Sequence, residues 1–284
     1  MKKKSKVTKK KKLTKNRGVK LFDKEFDKIK ELILSDTPFG FSRFSDGEVT
    51  ILQNNTVVLA DNYFIQGDLH GDDVKFPARY LPEEHKEFYP EQHEFYHKKL
   101  VEAFKFRKKN YFKGIPPQNA SYGDVSWKFC TDLYGEGDDE HLTFASVMIN
   151  SNYHRFVTEI IPEFASKNIV MVCNENANFT NLPFEVKKAF FCGSNCMIND
   201  YNLIEEISEW IEDSKIENYT FLFSAATLSN YLIYELFKKY DKNQYIDIGS
   251  SLGYHLGLKG CAYRGYLNMY WNQKVLIDET DTWT

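Results

Sequence analysis

The second half of the chain alternates short apolar runs with amphipathic segments. The run over residues 169–173 is continuous, which is typical of strands buried on both faces of a parallel sheet. The apolar runs cover residues 169–173, 189–192, 219–223 and 244–248, and helical patterns cover residues 203–211 and 228–240. Strands that alternate with helices at this spacing predict right-handed βαβ units. We therefore expect an α/β fold with a Rossmann-like, doubly wound, mostly parallel sheet and flanking helices.

The first half of the chain has a less regular pattern of apolar and polar residues. The predicted elements are a helix over residues 23–34, a strand ending at Phe44, loops and short strands over 53–80, a helix interrupted at Pro90 over 82–109, and strands over 111–115 and 142–149. These assignments rest on helical or strand periodicity and on the Pro and Gly residues that interrupt it.

Length and composition suit one packed domain. The chain has 284 residues, of which 42% are hydrophobic and 16% aromatic. No apolar run approaches the roughly 18 residues that a membrane-spanning helix needs. The five cysteines are scattered along the chain, which is typical of reduced thiols in an intracellular protein. We therefore predict a cytoplasmic protein with a single domain over residues 18–284.

Charge is distributed unevenly along the chain. Residues 1–17 contain ten Lys or Arg and no acid, while the rest of the chain has 27 basic and 40 acidic residues. A run of like charges predicts a disordered, solvated tail, and a weak contact with an anionic membrane surface is the alternative. The acidic body disfavours nucleic acid as the main substrate.

Two carboxylates lie close together at a predicted strand-to-helix turn. Asp46 and Glu48 are separated by Gly47, and Arg43 precedes them. Such a pair can bind Mg²⁺ or Mn²⁺, which prefer oxygen ligands and share them with substrate phosphates. Gly47 has no Cβ, so a ligand can approach the backbone there. The alternative is a capping box, in which Ser45 caps the helix and Glu48 bonds to the Ser45 amide.

The segment Arg43-Phe-Ser-Asp-Gly-Glu48 resembles the R-[FY]-G-D-G-E signature of the GT-D-type glycosyltransferases, a family of enzymes that use nucleotide sugars. The resemblance implies a GT-D-like fold. It also implies that Asp46 and Glu48 serve a divalent metal and the sugar diphosphate, with Arg43 orienting or neutralising them. Ser45 stands where the family has a glycine, and this change leaves all of the charged groups in place.

The last predicted strand-helix-strand unit also resembles the family. Its turn is Phe223-Ser-Ala-Ala-Thr227, and its ending Asp247-Ile-Gly-Ser250 is similar to the family's D-I-G-H, with Ser250 in place of His. His255 is a candidate to replace that His. Asp247 is expected to contact the ribose, to support the site or to act as the general base, and a turn-capping role is the alternative.

Polar residues at the ends of predicted strands are candidate contacts for a sugar donor, because α/β proteins bind ligands at the carboxyl ends of parallel strands. These candidates are Asn174, Asn176, Ser194 and Asn195. The helix that begins near Thr227 offers free backbone amides to a phosphate or a ribose. The resemblance adds Asn150 as part of the wall of the donor pocket.

These residues and the resemblance together predict a metal-dependent glycosyltransferase. It is expected to use Mn²⁺ or Mg²⁺ and to move a sugar from a nucleoside-diphosphate donor, with uridine as the expected nucleoside. The acceptor is a hydroxyl of a glycan, a glycoprotein or a lipid-linked glycan. One alternative is an S-adenosylmethionine-dependent methyltransferase, because residues 247–253 resemble its nucleoside-binding turn, although only 31 residues follow them. The other alternative is a non-catalytic nucleotide-binding protein.

Overall fold

The computed structural model describes residues 22–60, 63–67, 73–77, 81, 84–118, 123–135, 140–260 and 264–275. The predicted tail, residues 1–17, lies outside them. The described residues form an α/β fold in which one large parallel sheet is flanked by helices. The predicted fold class is therefore confirmed. The extent of the single domain, residues 18–284, stays a prediction.

The strands fall into two sheets. In chain order they are β1 (Phe39–Arg43), β2 (Val57–Ala60), β3 (Tyr63–Gly67), β4 (Asp73–Pro77), β5 (Lys86–Phe88), β6 (Tyr111–Ile115), β7 (Leu142–Phe144), β8 (Ile169–Asn174), β9 (Val186–Cys192), β10 (Thr220–Ser224) and β11 (Gln244–Asp247). The main sheet has seven strands in the order β7-β6-β1-β11-β10-β8-β9. All of its neighbouring strands are parallel.

Helices connect most of the parallel strands. They are α1 (Phe22–Leu34), α2 (Asp46–Leu52), α3 (Glu94–Lys105), α4 (Gly123–Tyr134), α5 (Tyr153–Arg155), α6 (Cys196–Asn199), α7 (Leu203–Ser214), α8 (Ala226–Lys239) and α9 (Gly265–Leu267). Helix α5 continues into irregular helical turns that end at Ser166. Within the described residues, no helix is both long and apolar enough to cross a membrane.

The central strands of the main sheet are buried on both faces, as the continuous apolar run over residues 169–173 predicted for β8, whereas the edge strand β9 exposes Lys187 and Phe191. In β8, Ile169, Met171 and Cys173 belong to one hydrophobic cluster, while Val170 and Val172 belong to another. Successive side chains of a strand point to opposite faces, so a strand between two layers needs an apolar residue at every position. The predicted strand over 142–149 ends early, at Phe144, and turns follow it.

The second sheet is antiparallel, with the strand order β4-β3-β2-β5. Its β5 strand lies in a segment for which the sequence predicts a helix, and that helix begins only at Glu94. The prediction is wrong there because residues 86–88 alternate: Lys86 and Phe88 are buried and Glu87 is exposed, which is the strand period. This sheet brings Lys86 close to α2.

Candidate functional site

A cavity of about 390 Å³ opens at the carboxyl edge of the main sheet. Strands β1, β8, β9, β10 and β11 end there, and the last residue of each lines the cavity. The ends of parallel strands are the usual place where α/β proteins bind ligands. The predicted site residues that line the cavity are Arg43, Asp46, Gly47, Glu48, Asn150, Asn174, Asn195, Thr227 and Asp247. The structure therefore brings most of the predicted site together.

The turn between β1 and α2 is a helix cap as well as part of the cavity. Ser45 has an extended backbone, and α2 begins at the next residue. The Ser45 amide donates a hydrogen bond of 3.2 Å to Glu48 Oε2, as expected of a capping box. The capping alternative therefore holds for Glu48, and it coexists with a place in the cavity wall.

Glu48 is buried and has partners on both carboxylate oxygens. Its Oε1 accepts hydrogen bonds from Lys86 Nζ at 3.0 Å and from Thr227 Oγ1 at 2.6 Å. Burial alone would raise the pKa of Glu48, but the Lys86 ammonium and the Thr227 hydroxyl outweigh it, so the pKa lies below its ordinary value. Glu48 is therefore an ionised carboxylate that is already engaged inside the protein.

Asp46 differs from Glu48 in both exposure and partners. It is exposed and lines the cavity. Within the described part of the chain, its carboxylate makes no hydrogen bond and no ion pair, and only its backbone carbonyl accepts a bond, from Thr50. Asp46 is therefore the carboxylate of the pair that a ligand can reach without displacing a protein group.

The two carboxylates decide how well the site fits a divalent cation. The described residues contain no group of three or more His, Cys, Asp or Glu that could hold a metal ion. Mg²⁺ usually keeps several waters and binds to one or two carboxylates together with substrate phosphates. The residues therefore fit a cation that Asp46 shares with a diphosphate, and they do not fit a cation enclosed by the protein alone. Metal binding by Asp46 and Glu48 stays a prediction.

Arg43 lines the cavity, where its guanidinium donates a hydrogen bond to a carbonyl and fits against a glycine. Its Nε donates a hydrogen bond of 2.5 Å to the Ala145 carbonyl. Its Nη1 lies 1.7 Å from the position that a Cβ would take on Gly249, whose φ is +51°. A side chain at residue 249 would therefore occupy the place of the guanidinium. Gly249 is required there both for its backbone conformation and for the space it leaves.

Asp247 ends β11 and is almost completely buried. Its Oδ1 accepts a hydrogen bond of 2.9 Å from the Gly249 amide, and its Oδ2 accepts one of 3.2 Å from the Arg43 amide. Burial raises the pKa of Asp247 to about 7, although the Arg43 guanidinium and these hydrogen bonds act in the opposite direction. Asp247 therefore joins the ends of β1 and β11 and titrates near neutral pH.

The cavity is bordered by turns with left-handed backbone conformations. The residues with positive φ that line it are Asn150 (+52°), Asn195 (+50°), Ala226 (+44°) and Gly249 (+51°). Gly and Asn adopt this region most readily, whereas alanine loses about 1–2 kcal/mol there. Ala226 starts α8 and directly precedes Thr227, whose hydroxyl reaches Glu48. Such backbone strain concentrates at functional sites.

The asparagines of the strand-end loops have structural partners. Asn174 Oδ1 accepts hydrogen bonds from the amide and the side chain of Asn176. Asn195 Oδ1 accepts a hydrogen bond from the Glu87 amide. Asn176 and Ser194 are exposed and do not line the cavity. The cavity therefore does not include these two predicted donor contacts. A loop that follows a strand directs its side chains to different sides, and these two side chains face solvent.

Sequence reasoning missed the groups that the second sheet brings to the cavity. Lys86 lines it, as do Glu84 and His85 in the segment just before β5. A buried lysine on an alternating strand, which needs a carboxylate partner, is the signal that points to Lys86. The proposed substitute His255 does not line the cavity, and its ring packs edge-on against Trp271 at 5.2 Å.

Comparisons with known proteins agree on the fold. No protein-family model and no curated protein matches this sequence. A solved structure described as "A New Glycosyltransferase (DUF1792) from Streptococcus sanguinis" is similar with a TM-score of 0.51 and 12% identity, over 93% of this chain and 95% of its own. Another, described as "The highly conserved domain of unknown function 1792 has a distinct glycosyltransferase fold", has a TM-score of 0.50 and 12% identity, over 86% and 88%. At this identity the likeness shows the fold alone.

Proposed function

We propose that this protein is a glycosyltransferase that uses a nucleoside-diphosphate sugar. The observation that carries the proposal is the cavity at the strand ends, which Arg43, Lys86 and Asp46 all line, the Asp46 carboxylate having no partner among the described residues. A diphosphate carries negative charge that cationic side chains can balance, and an exposed carboxylate can share a cation with it. The fold of the similar structures, which are described as glycosyltransferases, adds support.

In this proposal, Arg43 stabilises the diphosphate as the bond to the sugar breaks. Its guanidinium is already positioned by the Ala145 carbonyl and by the space above Gly249. A group that is positioned before the reaction stabilises developing charge without having to reorganise. Asp46 would hold Mn²⁺ or Mg²⁺, and that cation would supply additional charge stabilisation to the leaving diphosphate.

Asp247 is our candidate for the general base that takes a proton from the acceptor hydroxyl. A general base works best when its pKa lies near the working pH, and burial raises the pKa of Asp247 to about 7. Asp247 also lines the cavity, which is the space in which donor and acceptor would meet. Its two hydrogen bonds to backbone amides keep the carboxylate in place.

The methyltransferase alternative is not favoured. The turn after β11 would have to present its backbone to a nucleoside, but the Gly249 position faces the Arg43 guanidinium at very short range. Asp247 also bonds to the Gly249 amide, so the turn is satisfied internally. The non-catalytic nucleotide-binding alternative has the same cavity as the enzyme, and the experiment below separates the two.

Donor, acceptor and location belong to the same proposal. We propose uridine as the nucleoside of the donor and a glycan, glycoprotein or lipid-linked hydroxyl as the acceptor, on the motif resemblance. We also propose a cytoplasmic protein whose Lys-rich residues 1–17 make at most a weak contact with an anionic membrane surface. The acidic remainder of the chain supports an acceptor other than nucleic acid.

The experiment that tests the proposal combines calorimetry with a turnover assay. UDP is titrated into the protein in Mn²⁺ and in EDTA, and UDP release from UDP-glucose, UDP-galactose and UDP-N-acetylglucosamine is measured without acceptor. We expect binding that is stronger in Mn²⁺, and slow donor hydrolysis. Asp46→Asn should lose the stimulation by Mn²⁺. Glu163→Gln, at an exposed residue outside the cavity, is the control and should behave as wild type.

Two results would contradict parts of the proposal. Nucleotide binding without turnover of any nucleoside-diphosphate sugar, even with a mixture of glycan acceptors, would favour the non-catalytic alternative. Failure of UDP, GDP, CDP and dTDP to bind in either solution would refute the donor site itself. S-adenosylmethionine binding in the same calorimeter would restore the methyltransferase alternative.

A further inference from the structure

The motif resemblance assigns no function to an ion pair that is buried in the cavity wall. Lys86 Nζ lies 3.0 Å from Glu48 Oε1, and the two side chains are only 11% and 10% exposed. A charge is costly to bury unless it has a partner of opposite sign. Lys86 and Glu48 therefore form a fixed pair next to the predicted diphosphate site.

Three of the roughly four acceptor positions of the Glu48 carboxylate are occupied from within the protein. Oε1 accepts bonds from Lys86 and Thr227, and Oε2 accepts one from the Ser45 amide. A divalent cation on the same oxygens would lie beside the Lys86 ammonium, and two positive charges at that separation repel each other. The arrangement therefore disfavours joint binding of one cation by Asp46 and Glu48.

The Lys86 ammonium has more N–H donors than its contacts with the described residues use. An ammonium carries three N–H donors, and Glu48 is the one acceptor that Lys86 reaches among the described residues. Its Nζ lies 3.4 Å from the position that a Cβ would take on Gly47, and both residues line the cavity. The missing side chain of Gly47 thus leaves room beside the ammonium for a ligand.

The backbone on either side of Lys86 is fixed by Asn195. The Asn195 amide donates a hydrogen bond of 2.8 Å to the His85 carbonyl, and its Oδ1 accepts one of 3.1 Å from the Glu87 amide. Lys86 itself pairs with Leu59 in the antiparallel sheet. The position of the ammonium is therefore set before any ligand arrives, which is the condition for effective electrostatic stabilisation.

We propose that Lys86 is a ligand of the donor diphosphate and that Glu48 positions it, while Asp46 alone serves the divalent cation. This inference rests on the proposed function and assigns separate roles to the two carboxylates of the motif. Glu48 acts through Lys86 and is a positioning residue. The diphosphate would then lie between Lys86 from the second sheet and Arg43 from the main sheet.

The test measures UDP affinity by calorimetry in Mn²⁺ and in EDTA, for four variants of the full chain. The variants are Asp46→Asn, Glu48→Gln, Lys86→Met and, as a control, Lys167→Met. Lys167 is also a mostly buried lysine with a carboxylate partner, Asp36, but both precede their strands at the opposite edge of the main sheet. Urea unfolding of each variant reports whether it is folded.

The expected results differ between variants of Asp46 and variants of Glu48. Lys86→Met should weaken UDP binding roughly tenfold or more in EDTA as well as in Mn²⁺, because a charge-assisted hydrogen bond to the diphosphate is lost. Glu48→Gln should weaken it in both solutions as well, because the Lys86 ammonium loses the carboxylate that positions it. Both should keep the stimulation by Mn²⁺. Asp46→Asn should lose that stimulation and keep the affinity measured in EDTA. Lys167→Met should change neither value.

The inference is overturned if Glu48→Gln abolishes the stimulation by Mn²⁺ as Asp46→Asn does, while Lys86→Met leaves UDP affinity within about twofold of wild type. That result would make Glu48 a metal ligand, and it would leave the proposed function intact. If wild type binds no nucleoside diphosphate in either solution, the proposed function itself is refuted.

A second measurement needs no variant of Glu48. In wild-type protein labelled with ¹⁵N-lysine, the Nζ signal of Lys86 is assigned by its absence from Lys86→Arg, and UDP is added in EDTA. A shift of this signal at UDP concentrations that match the calorimetric affinity is the expected result. A Lys86 signal that stays unchanged at saturation would refute direct contact with the diphosphate.

Discussion

Substitution of Gly249 by alanine should destabilise the protein mainly by displacing Arg43. The new Cβ would lie 1.7 Å from Arg43 Nη1, so the guanidinium has to leave its place. It would then lose the hydrogen bond from Nε to the Ala145 carbonyl, worth about 1.5–3 kcal/mol for a charged donor. The left-handed backbone of residue 249 adds about 1–2 kcal/mol for an alanine. We expect a total loss of about 2.5–5 kcal/mol.

Gly257 provides the matched control for this substitution. Its φ is +64°, but apart from its own chain neighbours no atom of the described residues lies within 4 Å of the position that its Cβ would take. Gly257→Ala should therefore show the backbone cost alone, about 1–2 kcal/mol. The difference between the two variants, measured as a shift of the urea midpoint at constant m-value, isolates the contribution of Arg43.

A double-mutant cycle tests the cause directly. In an Arg43→Ala background the clash is absent, so Gly249→Ala should cost no more than Gly257→Ala. If Gly249→Ala costs the same with and without Arg43, or if it matches Gly257→Ala in the wild-type background, the guanidinium is not fixed against Gly249. The proposed diphosphate contact of Arg43 would then lose its structural basis.

Other substitutions test the remaining parts of the site. Burial raises the pKa of Asp247 to about 7, so the stability of wild type relative to Asp247→Asn should be greatest below about pH 4. This difference in stability should fall by up to about 4 kcal/mol as the pH rises through 7, as measured by urea titrations from pH 4 to 8. A pH-independent difference would contradict this prediction. Thr227→Val should lower the free energy of unfolding by about 1.5–3 kcal/mol, because it removes the hydroxyl that donates a hydrogen bond to the buried Glu48 carboxylate. Thr227→Ser keeps this hydroxyl, so an equal loss of stability in both variants would argue against the hydrogen bond. Gly114→Ala would place a Cβ 2.8 Å from the Ala145 Cα and should lower the free energy of unfolding by about 1–3 kcal/mol, as measured by thermal or urea unfolding. Gly193→Ala is the control and should lower it much less, because its Cβ would lie 3.6 Å from the nearest neighbouring atom.

The second sheet changes how the site is understood. It supplies Lys86, together with Val57, Leu59 and Phe64, to a cavity that the strand ends of the main sheet also line. Without β5, the buried carboxylate of Glu48 would have only a hydroxyl and an amide as partners. The small sheet is therefore part of the candidate site.

The sequence by itself determined the main sheet and the place of the motif. The continuous apolar run over residues 169–173 predicted β8, because a strand covered by helices on both faces needs apolar residues throughout, and the alternation of strands with helices predicted β9, β10 and β11. The glycine-separated carboxylates predicted the turn after β1, and Asp247 was correctly expected at the same edge of the sheet. These are local features, written in the spacing of neighbouring residues.

Only the tertiary structure decided which carboxylate faces inward. Glu48 meets Thr227 and Lys86, which lie 179 and 38 residues away in the chain. No local spacing encodes such contacts, because they depend on how α8 and the second sheet pack around α2. The same holds for Asn176 and Ser194, which follow strands at the correct edge and still lie outside the cavity. A strand places the start of a loop, and packing decides where each of its side chains points.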